Sequence, residues 1–168
     1  MLEIIKLFKD ICLFKRGPQE VPHSLVLLWM LLAVNAAVSF LALYLSAGFL
    51  QTLLQIVVSL LLLMAGSYVI LAIGGKLGRF CQTASALLGA DTFISFFALP
   101  ALATLAAGRG SVIVYFYLLA LMIWHWAVAG HIFRHALDKS LFVGLAVAFL
   151  YIAAAYQIMA MLLSNMQN

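Results

Sequence analysis

Leu53 to Ile73 reads LLQIVVSLLLLMAGSYVILAI, a stretch without a single charge. Roughly 20 apolar helical residues cross a bilayer core of about 30 Å, and this stretch meets that length. Its middle, Val57 to Ala65 (VVSLLLLMA), does not alternate between apolar and polar residues. A membrane β-barrel needs such alternation over segments of about ten residues, so the backbone here must satisfy its hydrogen bonds as a helix.

Four more segments pass the same length rule. Leu25 to Leu45 precedes it and holds Asn35 near its middle. About Ala84 to Ala107 follows, with Asp91 and Pro100 inside. Val112 to Phe133 contains His125, and Phe142 to Leu163 contains Gln157. The expected fold is therefore all-α, a polytopic membrane protein of five transmembrane helices preceded by a short amphipathic interfacial helix. The organisation is an interfacial helix over 1–16 and one membrane domain over 24–168.

Composition agrees with the spans. Of 168 residues, 67% are hydrophobic and 8% charged, and the mean hydropathy is +1.19. A soluble domain carries about a quarter charged residues. Nine bases and five acids cannot cover the surface of an 18.3 kDa globule. A soluble enzyme, a secreted disulfide scaffold and a disordered chain are all excluded.

The bases give an orientation. Lys6, Lys9, Lys15 and Arg16 precede the first span, Lys76 and Arg79 lie between the second and third, and Arg134 and Lys139 between the fourth and fifth. Arg109 stands alone on the other side. By the positive-inside rule the N-terminus is expected in the cytoplasm and the C-terminus outside. That bias also accounts for the basic pI, so nucleic-acid binding is not implied. The N-terminal stretch lacks the short basic head and short apolar core of a cleavable signal and reads as a retained anchor. Cys12 and Cys81 both fall on the reducing cytoplasmic side, where a disulfide is not expected. No internal repeat of a transporter type is found.

At 100° per residue, Ile4, Ile5, Phe8, Ile11 and Cys12 share one face of a helix over Met1 to Lys15, with Met1 at its edge. Glu3, Lys6, Lys9 and Asp10 gather opposite. Such a helix lies in the headgroup plane with its lysines toward anionic lipid. It reads either as a membrane-surface sensor or partner-docking helix, or as a plain juxtamembrane anchor. Gly17 and Pro18 are expected to stop it.

Ionisable groups inside a span are costly and are candidates for function. Asp91 and His125 sit at similar depth, about 10 to 12 Å from the cytoplasmic ends of their spans at 1.5 Å per residue. The two helices are consecutive, so the pair is expected to meet across an antiparallel interface. The competing readings are a structural pair, or an Asp91 that caps a helix begun late within Gly89 to Thr92. Asn35, Gln55 and Gln157 suit interhelical hydrogen bonds. His131 and His135 share a helix face and are weak metal candidates, since no acid completes a His-Glu-x-x-His pattern. No cofactor is expected.

Pro100 should kink the third span by freeing a carbonyl near Phe96. Gly74 with Gly78, and Ala153 to Ala155, permit close helix approach. No nucleophile elbow, phosphate loop or close acid pair is present, so the expected function is non-enzymatic.

Two stretches carry a family resemblance. Gly74 to Gln82 (GGKLGRFCQ) resembles the glycine-rich turn and Phe-x-Gln entry of the Yip (Ypt-interacting protein) domain family. Trp124 to Leu137 (WHWAVAGHIFRHAL), followed by Ser140 to Leu150, resembles that family's approach to its final span. The likeness covers most of the chain from Val21 onward. It implies five spans, a cytoplasmic N-terminus and placement in a bacterial cytoplasmic (inner) membrane; it supplies no catalytic residues. GTPase binding is not carried over, because only about 24 residues precede the first span.

The expectation that follows is a membrane scaffold or assembly factor, partnered by the lipid bilayer and by another membrane protein or a second copy. The eight bases mark its contact face. The alternative is a small transporter or channel component using a polar path along Asp91, His125, Asn35 and Gln157.

Overall fold

The computed structural model describes residues 2–44 and 48–167, and within these the chain is helical with no strand. The helices are α1 (Leu2–Cys12), α2 (Leu25–Tyr44), α3 (Phe49–Ile73), α4 (Phe80–Ala106), α5 (Val112–Leu137) and α6 (Leu141–Gln167). Five of them, α2 to α6, are long and apolar enough to cross a membrane. The multi-pass helical fold read from the sequence is the fold observed. Met1, which closes the wheel of α1, Leu45 at the end of the first expected span, and Asn168 lie outside the described residues.

Several helix boundaries lie beyond the hydropathy reading. α3 starts four residues before Leu53, α4 starts at Phe80 rather than Ala84, and α5 runs to Leu137 rather than Phe133. A length rule counts only the apolar stretch that lipid requires. The helices continue past it because their polar ends, such as Phe80 to Thr83 and Arg134 to Leu137, pack against protein.

Four helices, α1, α3, α4 and α5, end the same way. A residue in the left-handed region (Phe14, Gly75, Gly108 or Asp138, φ between 53° and 70°) reverses the chain. The next amide then bonds back to the last helical turn: Lys15 to Asp10, Lys76 to Leu71, Arg109 to Thr104 and Lys139 to Arg134, at 2.8 to 3.1 Å. This is the Schellman closure. In all four the residue after the reversal is Lys or Arg, where a cation also meets the negative end of the helix dipole. Ser24 and Ser111 cap the starts of α2 and α5 by accepting from the amides of Leu27 and Val114.

α1 is shorter than expected. It stops at Cys12, with Phe14 as its reversing residue, and Pro18–Glu20 form one separate turn of 3-10 helix. Its apolar face also lies differently. Leu7, Phe8, Ile11 and Cys12 are buried, whereas Ile5 is exposed. The buried stripe packs on α4 and α5 instead of facing lipid. Phe8 occupies the space where a Cβ on Gly89 would stand, so that glycine is what lets α1 approach α4. The indole Nε1 of Trp124 donates to the Cys12 carbonyl at 2.9 Å, satisfying one of the free acceptors at the end of α1.

α4 is the hub and touches α1, α2, α3 and α5. Every residue from Thr83 to Ala90 is buried. The most extensive pairing joins α5 and α6. There a Cβ on Gly144 would meet the Gly130 carbonyl and the Arg134 backbone, and a Cβ on Gly130 would meet Leu145. The glycines singled out from sequence fare unevenly. Gly74 abuts Leu137, but Gly78 faces open space, and Ala154 and Ala155 line an open cleft between α3 and α6. Tyr117 on α5 donates its hydroxyl to the Phe97 carbonyl at 2.9 Å, in the turn that Pro100 interrupts.

Candidate intramembrane polar site

The middle of the bundle holds one polar cluster built from three helices. Asn35 lies ten residues into α2, Asp91 eleven into α4, and His125 twelve before the end of α5. At 1.5 Å per residue each stands about 15 to 18 Å from the helix ends on the basic side. That is deeper than the 10 to 12 Å expected, because α4 begins earlier and α5 ends later. Each residue is close to the midpoint of its helix.

The carboxylate of Asp91 is divided between two partners. Its Oδ1 lies 3.4 Å from His125 Nε2, and its Oδ2 accepts from Asn35 Nδ2 at 2.8 Å. The same Asn35 amide donates to Thr92 Oγ1 at 3.0 Å, and the Thr92 hydroxyl donates to the Leu88 carbonyl at 2.7 Å. Asn35 is almost fully buried, which fixes the amide. Asp91 and His125 keep 28% and 38% of their side-chain surface accessible, so the pair is not sealed by packing.

A cavity of about 310 Å³ lies beside the pair. Besides Asn35, Asp91 and His125, its polar wall includes Ser59 from α3 and Tyr151 and Tyr156 from α6, so all five spans contribute.

The expected meeting of Asp91 and His125 is therefore observed, and Asn35 joins it. Three expectations are corrected. Gln157 is exposed on α6, has no side-chain hydrogen bond among the described residues and does not line the cavity. It lies on the face turned away from the bundle, which helical periodicity alone could not reveal in a helix that is apolar on all sides. Asp91 caps nothing: α4 is continuous through Gly89, Ala90, Asp91 and Thr92, and the Thr92 hydroxyl bonds back within the helix. Gln55 likewise makes no side-chain hydrogen bond among the described residues. Thr92, which enters the sequence reading only as part of a possible cap, joins the site, as do Ser59 and Tyr151, which that reading does not select. A hydroxyl beside an intramembrane acid is a usable signal for the first, while nothing local marks the other two.

The cationic residues sort into locked and free sets. Asp138 ties two of them: Arg79 Nη1 donates to its Oδ1 at 2.8 Å and Lys76 Nζ to its Oδ2 at 2.9 Å. Arg79 also donates to the carbonyls of His135 and Ala136, both at 3.2 Å, clamping the end of α5 to the turn before α4. These hydrogen bonds, Arg79 first and then Lys76, lower the Asp138 carboxyl to about 2. Arg16 stands 3.5 Å from both Asp10 and Glu20, and Lys6 makes only a long 4.0 Å contact with Glu3. Lys9, Lys15, Arg134 and Lys139 have no carboxylate partner among the described residues.

His131 and His135 meet edge to face with ring centroids 4.6 Å apart. His131 Nε2 lies 3.0 Å from the Arg16 carbonyl, to which it donates. No group of three or more His, Cys, Asp or Glu with a metal-holding arrangement occurs among the described residues. Cys12 and Cys81 are buried free thiols, and burial pushes the Cys12 thiol up to about 12.

No family model, curated protein or solved structure matches the chain.

Proposed function

We propose that this chain is a non-enzymatic transport or channel component that carries protons through the midplane site of Asn35, Asp91 and His125. The observation that carries the reading is the 310 Å³ cavity against the pair. A polar pair that served packing alone would be enclosed by side chains, since leaving ionisable groups open to hydrocarbon is costly, whereas a cavity beside them gives room for water and a moving proton. The cargo follows from the charge present. One carboxylate and one imidazole supply at most a single negative charge, and no third His, Cys, Asp or Glu joins them among the described residues, fewer than a calcium or zinc site uses. A proton entering the pair forms one N–H bond on His125 or one O–H bond on Asp91. It leaves by breaking that same bond, so no redox partner is involved. Asn35 donates to Asp91 Oδ2 and holds the carboxylate turned toward His125.

Reconstitution tests this reading. Liposomes with a pH-reporting dye inside and a clamped membrane potential should acidify when an outward-facing acid step is applied. Asp91→Asn should remove the excess over protein-free liposomes, while the Gln157→Ala variant keeps it. Equal acidification by wild type and Asp91→Asn, or none by wild type, sinks the proposal.

A second reading, assembly with another membrane protein or a second copy, is favoured by Lys9, Lys15, Arg134 and Lys139, which have no carboxylate partner among the described residues. Affinity purification from native membrane in mild detergent tests it, a stoichiometric partner supporting it and its absence opposing it. The cytoplasmic placement of the N-terminus belongs to the same proposal and rests on the clustering of eight bases at one end; the bacterial inner-membrane location is proposed on the family resemblance alone. Membership of a Yip-like family is likewise proposed, on the stretches 74–82 and 124–150.

A further inference from the structure

On the basic end, a recess of about 610 Å³ opens between the segment after α1 and the adjoining parts of α5 and α6. One wall is chain from Phe14 to Glu20, and the other is a single face of α5 with Ala127, His131, Arg134 and His135 at helical spacing. Its charges are unbalanced. The acid in its lining, Glu20, is held with Asp10 on Arg16. Lys15 and the half-buried Arg134 are left with no carboxylate partner among the described residues.

The recess is also graded in polarity. Arg134 stands three residues before the end of α5, within about 5 Å of its terminus at 1.5 Å per residue. Ala127 lies two turns deeper with Leu145 of α6 on the adjoining wall, while Leu141, the first residue of α6, lies nearer the level of Arg134. Cations at headgroup depth above an apolar slot match a phosphate with an acyl chain attached. Guanidinium groups bind phosphate with particular strength, because two N–H donors can face two oxygens.

We propose that this recess is a binding site for an anionic phospholipid, with the phosphate on Arg134 and Lys15 and one acyl chain along Ala127 and Leu145. The proposal is independent of the midplane reading, because it uses neither Asp91 nor His125.

The test uses the full chain in neutral detergent. Its thermal melting is followed during titration with a short-chain phosphatidylglycerol, with phosphatidylcholine of the same chain length, and with inorganic phosphate. Phosphatidylglycerol should raise the melting temperature saturably, as expected for a ligand that binds only the folded state. The other two should produce little change. Lys15→Gln, at an exposed position, and Arg134→Gln should each weaken the phosphatidylglycerol effect about ten-fold, the scale of one charge-assisted bond. The Lys6→Gln/Lys9→Gln double variant, whose bases lie outside the recess, should titrate like wild type.

Equal stabilisation by the two lipids overturns the proposal. So does an equal loss in the Lys6/Lys9 variant, which would indicate diffuse charge attraction. Saturation by inorganic phosphate at matching concentration indicates a free-anion site and overturns the lipid assignment. If Arg134→Gln fails to fold, Lys15→Gln against the Lys6/Lys9 variant still decides between these outcomes.

Discussion

The basic end of the bundle and the opposite end are made by the same helices but by different contacts. Near the basic end α4 is buried over eight consecutive residues, Thr83 to Ala90, under α1, α2 and α5. Beyond the midplane the same helix exposes Phe96, Phe97 and Pro100. The difference follows the polar closures between segments, most of which lie at the first end; at the other end, among the described residues, Tyr117 donates to the Phe97 carbonyl. Gln82 Nε2 donates to the carbonyls of Gln19 and Val21 at 3.2 and 3.0 Å, Trp124 to Cys12, His131 to Arg16, and Arg79 to the end of α5. Between transmembrane helices lipid supplies no hydrophobic driving force, so close packing and hydrogen bonds decide where they hold together. The cavity beside Asp91 and His125 lies at the level where those closures run out.

The comparison predicts unequal responses to substitution. Gly89→Leu should have the largest effect, because Phe8 already fills the space a side chain would need. Overpacking of this kind costs about 1 to 3 kcal/mol or more, and Phe8→Ala about 3 kcal/mol or more by emptying the same interface. Thermal melting in detergent should show a marked drop for both and none for Gly78→Ala, which faces open space. An unchanged Gly89→Leu would mean that α1 is not docked on α4.

Arg79→Gln should come next. It removes donors to Asp138 and to two carbonyls at the end of α5, so protease cleavage of the α5–α6 link should accelerate while the melting temperature falls less than for Gly89→Leu.

Acid should produce a smaller change at the same place. The Asp138 carboxyl is lowered from 3.8 to about 2 in the folded protein. A depressed carboxylate contributes its stabilisation above its ordinary value and loses it as the pH falls from there toward its folded value. The Arg79–Asp138 clamp should therefore hold down to about pH 4 and weaken between there and about pH 2, a loss absent from Asp138→Asn. Titration of the Asp138 carboxyl by NMR measures the shift directly; a normal midpoint would remove the clamp from the account.

The smallest effect is chemical. With its thiol raised to about 12 by burial, Cys12 should alkylate far more slowly than a free cysteine near neutral pH, since the thiolate is the reactive form. Unfolding in detergent should restore the ordinary rate. Fast labelling of the folded chain would show that α1 opens readily from the packed end.

Part of the polar site could be read from the sequence and part could not. Asp91 and His125 stand out because charge is scarce in a span, and consecutive antiparallel helices bring equal depths together. Asn35 was one of several amides of equal promise. Nothing in α6 separated Gln157, which faces away, from Tyr151, which faces the cavity. Among the glycines, Gly78 reads as a packing residue but a side chain there would meet open space, while Gly89, Gly130 and Gly144 carry close approaches.

The sequence by itself determined that the chain crosses lipid five times, that its bases gather at one end, and approximately where each span lies. These follow from local properties, namely the length of apolar runs, the scarcity of charge and the placement of Gly, Pro and Ser at ends. Only the tertiary structure decided which faces of those helices meet. A span that is apolar on every side carries no periodic signal of its rotation, so the orientation of Asn35 toward Asp91, the docking of α1 on Gly89 and the recess beneath Arg134 arise from interhelical packing alone.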